Sequence, residues 1–242
     1  MHGFTGSPHV WELVRPRLER HHTLLTPALP GHLGGPILPP TITPTTLVEA
    51  VETTMDEAGI GEAHVVGNSL GGYVALQLAA RGRALTVTAL APAGGWAAGD
   101  DKHATLAMNE EAHAVTQGAE RNAAFIASTP EGRRQALATM AGHTDHVPPE
   151  FVVNVIRAGA LCTEAPRMIA YAAESDWPLE TPQCPTRIVW GTEDKLLPWP
   201  AAAERYRMQL PHAEWIELDG VGHCPQVDVP LITAELILGA IA

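Results

Sequence analysis

Three positions in the 242-residue chain carry side chains that could together activate a hydroxyl group: Ser69, Asp194 and His223. Ser69 is the centre of Gly67-Asn68-Ser69-Leu70-Gly71, a G-x-S-x-G pentapeptide. A serine hydroxyl is a weak nucleophile until a base takes its proton, and an imidazole serves as that base only when a third group fixes its tautomer. His223 closes the run Gly220-Val221-Gly222-His223, and Asp194 closes Gly191-Thr192-Glu193-Asp194. The chemistry within reach of such a set is attack by Ser69 on an ester-like carbonyl, with His223 as base and Asp194 as acid.

Each position has rivals. Glu193 adjoins Asp194, and Asp100 and Asp101 follow an earlier strand pattern as a weaker alternative acid. The chain has 12 histidines, so His223 is distinguished by placement and not by type. His143 and His146 flank Asp145, but no third ligand stands at standard spacing, and no metal is expected. The pentapeptide alone also fits an incidental serine in a glycine-rich turn.

The surrounding elements decide in favour of Ser69. His64-Val65-Val66 reads as a buried strand entering the pentapeptide, and Tyr73-Val74-Ala75-Leu76 as a helix leaving it. Small flanking residues allow the sharp turn between them, and the serine then stands at a helix N-terminus, where partial positive charge favours an anion. The spacing predicts strands over 22–26, 63–68, 85–91, 186–190 and 213–218, and helices over 45–58, 70–81 and 230–241. Asp194 and His223 both follow the carboxyl ends of strands, where sites in parallel sheets form. Residues 27–40 form a loop rich in Pro and Gly. From Trp96 to about Glu180 the chain is Ala-rich and helical, with starts at Thr129-Pro130-Glu131 and Pro148-Pro149-Glu150. Alternating strands and helices predict a mostly parallel sheet flanked by helices. The expected division is a discontinuous core, residues 1–95 and 181–242, interrupted by a helical cap over residues 96–180.

Composition narrows the partners. A formal charge of −12 with only 15 Lys and Arg argues against nucleic acid and anionic membranes. No run reaches the ~20 apolar residues of a spanning helix, and no leader pattern opens the chain, so a cytoplasmic location is expected. Cys162, Cys184 and Cys224 form no CxxC and are expected as reduced thiols. The expected partner is a small-molecule substrate, with no cofactor; nothing in the sequence fixes an oligomeric state.

Several motifs together resemble the α/β-hydrolase superfamily. His2-Gly3-Phe4-Thr5-Gly6-Ser7 looks like its HG-x loop, Leu29-Pro30-Gly31-His32 like the loop after its fourth strand, Trp190–Asp194 with Pro198 like its acid loop, and Gly222-His223 with Pro225 like its histidine loop. The order Ser, Asp, His is that of the fold. The resemblance implies that the backbone N–H groups of Phe4 and Leu70 form an oxyanion hole, and that residues 96–180 stand where the family inserts its cap. It implies an esterase-like serine hydrolase. Carbon–carbon hydrolases and lyases of the same fold are the alternative: Asn68 before the serine resembles meta-cleavage product hydrolases, and His2–Ser7 with Trp11 resembles the menaquinone-pathway lyase, although Tyr73 stands where that lyase carries Arg. Haloalkane dehalogenation needs a carboxylate where Ser69 stands. A third possibility, of a different class, is a non-catalytic relative that binds small molecules beneath the cap.

One departure bears on the site. The family places strands before the HG-x loop, whereas here Met1 directly precedes His2. The expectation is therefore a start truncated relative to a longer gene, a depleted N-terminal sheet, and a Phe4 carried on a loose terminus, poorly suited to donate to an oxyanion.

Overall fold

The computed structural model describes residues 1–96 and 100–241, and the side chains of all of these except Asp100 and Asp101. A short helix α1 (Arg15–Leu18) and helix α2 (Thr46–Glu57) precede strand β1 (Ala63–Asn68), helix α3 (Leu70–Ala80) and strand β2 (Ala84–Leu90). Helices α4 (Asp100–Ala119), α5 (Ala123–Ser128), α6 (Pro130–Ala136), α7 (Pro149–Ala160) and α8 (Ala165–Glu174) follow. Then come strand β3 (Thr186–Gly191), helix α9 (Glu204–Gln209), strand β4 (Glu214–Leu218), and helices α10 (Pro225–Asp228) and α11 (Pro230–Gly239). Four strands form one sheet in the order β1-β2-β3-β4, and every pairing is parallel.

The sheet is covered on both faces, as period-two alternation requires of a buried parallel sheet. Val65, Val87, Ala89, Ile188 and Trp190 point into one apolar layer with α2 and α3. Val66, Leu90 and Val189 point into the other, with α1, α5, α7 and α11. Helix α3 is buried along nearly its whole length, which explains its apolar character on every side. The strand and helix expectations hold for β1 to β4, α2, α3 and α11 to within a few residues. Thr129 caps α6, its side chain accepting from Gly132 N–H.

The expected strand over 22–26 is a correction: that segment is irregular. A strand's donors and acceptors need a ladder partner, and this segment pairs with no strand among the described residues. The chain start is a second correction, because it is not loose. The Met1 amino group donates to Val66 O at 2.6 Å, and Asn68 N–H donates to Met1 O at 3.1 Å, so the first residue runs along the outer edge of β1. His2 is fully buried, and its Nε2 accepts from Leu29 N–H at 3.0 Å. Among the described residues, no helix is long and apolar enough to cross a membrane.

Candidate active site

The turn from β1 to α3 holds Ser69 in a conformation that only a closely packed elbow can enforce. Its φ is 56° and its ψ is −120°, outside the regions a non-glycine residue ordinarily occupies. Ser69 N–H donates to Leu90 O, and Ser69 O accepts from Ala93 N–H, which ties the turn to β2. A Cβ on Gly67 would overlap the carbonyl of Gly71, and a Cβ on Gly71 would overlap the carbonyls of Met1 and His2. Both glycines are therefore required by close backbone approach and not by dihedral freedom. Gly3 passes so near the serine that its Cβ would lie 3.1 Å from that of Ser69.

The loops after β3 and β4 bring Asp194 and His223 together. Glu193 N–H donates to Val221 O and Thr192 N–H to Leu218 O, which laces one loop to the other. The His223 Nδ1–H points at Asp194 Oδ2 at 2.7 Å, and both side chains are almost wholly buried. The other carboxylate oxygen accepts from Leu196 N–H at 2.9 Å and Leu197 N–H at 2.8 Å. Glu193 is exposed, while the side chains of Asp100 and Asp101 lie outside the described residues. His223 and Ser69 line the same cavity, but no hydrogen bond joins them among the described residues.

Phe4 and Leu70 flank the serine. Neither N–H donates to another group among the described residues. Leu70 is the first residue of α3, whose N–H has no intrahelical partner.

Two polar side chains that the sequence reading gave no structural role hold this arrangement. Asn68 Nδ2 donates to His223 O at 3.0 Å and Leu90 O at 3.1 Å, and its Oδ1 accepts from Gln226 Nε2 and the Cys224 thiol. Burial pushes the Cys224 thiol up, so it stays protonated and serves as a donor. Asp228 is fully buried and accepts from Gly222 N–H at 2.6 Å, Gly142 N–H at 2.9 Å, His143 N–H at 2.7 Å and the His143 ring at 2.8 Å. It thus joins the loop bearing His223 to the segment between α6 and α7. The signal for Asp228 was an acid one turn beyond His223 between Pro225 and Pro230; Asn68 offered only its place in the pentapeptide. His143 and His146 are accounted for by Asp228 and the Val227 carbonyl.

Two cavities meet at Ser69. A narrow one of about 90 Å³ is walled mainly by apolar side chains, including Leu70, Trp96, Met168 and Trp177. A wide one of about 530 Å³ reaches His223 and runs under α4 and α7. Among the apolar residues of the segment 96–180, Met108, Ile126 and Met140 line the wide cavity, whereas Phe125 is 77% exposed. Trp177, at a φ of 48°, stacks edge-on against Tyr73 and Trp96 in the wall of the narrow one.

With its parallel sheet, strained elbow and loop-borne Asp–His pair, the chain belongs to the α/β-hydrolase family, whose model matches residues 1–236. It is 32% identical over 202 residues to the epoxide hydrolase EphH of Mycobacterium tuberculosis, covering 79% of this chain and 91% of that protein. It is 30% identical to a pimeloyl-[acyl-carrier protein] methyl ester esterase of Aromatoleum aromaticum, covering 98% and 94%. Its fold is similar to that of the enol-lactonase from Burkholderia xenovorans, with a TM-score of 0.70 and 18% identity over 99% of this chain and 88% of that one.

Proposed function

We propose that this chain is a serine hydrolase that cleaves small, apolar ester-like substrates through an acyl-enzyme on Ser69. The observation that carries this reading is the buried Asp194–His223 pair opening on the cavity that Ser69 also lines. In the first half-reaction Ser69 Oγ bonds to the carbonyl carbon while its proton passes to His223 Nε2. Asp194 holds Nδ1–H and stabilises the imidazolium. The carbonyl oxygen, now an alkoxide, takes hydrogen bonds from the N–H groups of Phe4 and Leu70. Collapse breaks the bond to the leaving oxygen, which departs with the proton from Nε2. Water then repeats the sequence and releases the acid. Residues 96–180 act as a cap over a core of residues 1–95 and 181–242, since α4, α7 and α8 wall the two cavities.

Epoxide opening, suggested by the similarity to EphH, fits Ser69 poorly. Attack by a hydroxyl on an epoxide carbon leaves an alkyl ether, which has no carbonyl for water to attack, so turnover would stop after one event. Carbon–carbon cleavage and simple ligand binding remain the competing readings, and neither has an observation of its own in its favour. Stopped-flow hydrolysis of p-nitrophenyl acetate is expected to show a burst of nitrophenol, with Ser69→Ala abolishing both burst and turnover. A folded protein that neither turns over the ester nor reacts with a fluorophosphonate at Ser69 would be a binding protein instead.

A further inference from the structure

The two cavities share Ser69 and Phe4 but divide the rest of the reacting groups between them. Leu70, the second candidate donor to the carbonyl oxygen, borders only the narrow cavity. His223 borders only the wide one. That division assigns the two ends of an ester. The leaving oxygen must receive its proton from His223 Nε2, so the alcohol has to lie on the wide side. With the carbonyl oxygen between Phe4 and Leu70, the remaining substituent on the carbonyl carbon enters the narrow side.

Resting on the acyl-enzyme reading, we propose that the narrow cavity is the acyl site and the wide cavity the leaving-group site, and that the substrates are esters of short apolar acids with larger alcohols that carry no negative charge. The acyl limit follows from volume. A dry protein cavity of about 150 Å³ holds benzene, so about 90 Å³ encloses a chain of about four carbons, and a longer chain or an aromatic ring has to extend out of the pocket. Tyr73, Trp96 and Trp177 form one aromatic wall of that site, while the exposed Thr43 and Pro44 border its outer side. The wide cavity is in the size range of ordinary ligand sites. Its wall mixes Met108, Ile126 and Met140 with Asn109, Gln135 and Thr139, which suits a leaving group of mixed polarity. Neither Lys nor Arg lines it among the described residues, whereas a phosphorylated carrier would need such cations.

The test is a matrix of esters. p-Nitrophenyl acetate, butyrate and octanoate vary the acyl chain alone; ethyl, benzyl and 1-naphthylmethyl butyrate vary the alcohol. For the parent protein, kcat/KM is expected to fall roughly tenfold or more from butyrate to octanoate and to rise from ethyl to 1-naphthylmethyl butyrate. Leu106→Ala and Ile169→Ala, both half-buried on the narrow wall, should raise octanoate relative to butyrate and leave the order of alcohols as it was. Ala112→Phe, in the wide wall, should depress the naphthylmethyl ester relative to the ethyl ester and leave the order of acyl chains as it was. Ser69-dependent hydrolysis with these preferences exchanged overturns the cavity assignment alone. Hydrolysis that persists in Ser69→Ala, or complete inertness towards every ester, overturns the acyl-enzyme reading and the assignment with it.

Discussion

Asp194 accepts three hydrogen bonds, two from the backbone of its own loop and one from His223. An amide in its place can keep one oxygen on the backbone donors but turns an N–H towards Nδ1. The imidazole then places its proton on Nε2, the atom that takes the proton of Ser69 in the proposed reaction. Asp194→Asn is therefore expected to lower kcat for p-nitrophenyl acetate by about 10⁴-fold with little change in melting temperature; a loss of less than tenfold would remove Asp194 from the reaction. Asp228 differs. Its carboxylate serves four donors in a fully buried place, and an amide has one acceptor oxygen for them. Asp228→Asn should cost about 2–3 kcal/mol of stability in urea unfolding. Of these two acids, placement after a strand and before a companion histidine made Asp194 readable. The sequence marked Asp228 only as an acid just beyond His223; its partners were not readable, since the segment carrying Gly142 and His143 lies more than 80 residues away in the chain and only folding brings it near.

The elements around Ser69 were legible because local rules and burial agree there: β-branched residues enter the turn, glycines stand where backbones touch, and α3 is apolar throughout. Residues 22–26 carry an equally strand-like pattern and form none. A pattern states what a segment can bury, but a ladder also requires a neighbour, and that is a property of the sheet and not of the segment. The reverse error occurred at Met1–Ser7, where contacts with the elbow fix a terminus that sequence reasoning treats as loose. Met1 and His2 rest directly on Gly71, so this packing can be tested without touching a reacting group. A methyl group at Gly71→Ala has to displace the segment that carries Phe4. Hydrolysis of p-nitrophenyl acetate should fall by about 10²–10³-fold in kcat, the usual loss for one oxyanion donor, while β1 to β4 remain intact by circular dichroism. Parent-like kcat would separate Phe4 from the reaction.

At the level of the whole molecule, the same anchored segment sets a pH limit on the fold. His2 and His32 lie with ring centroids 4.9 Å apart, almost without exposure to solvent. His2 donates through Nδ1 to Gly3 O and accepts at Nε2 from Leu29 N–H, so the folded chain holds it neutral. His32 donates to Pro30 O, while its Nε2 is buried without a partner among the described residues. Burial pushes His32 down to about 4 and His2 well below the ordinary histidine range, with the neighbouring His32 adding to the effect on His2. For a group whose folded value is depressed in this way, the unfolded chain takes up a proton below about pH 6.5 that the folded chain refuses. Stability is therefore complete above that pH and declines as the pH falls towards 4, by about 3 kcal/mol for His32 alone over that window. Urea unfolding at several pH values between 4.5 and 7 should thus show proton uptake on unfolding. In His32→Phe, which keeps the ring and removes the titration, the slope of stability against pH should flatten by up to one proton. An unchanged slope would mean that His32 is solvated in the folded chain, and that the packing of Met1–Ser7 beneath the elbow is looser than its contacts indicate.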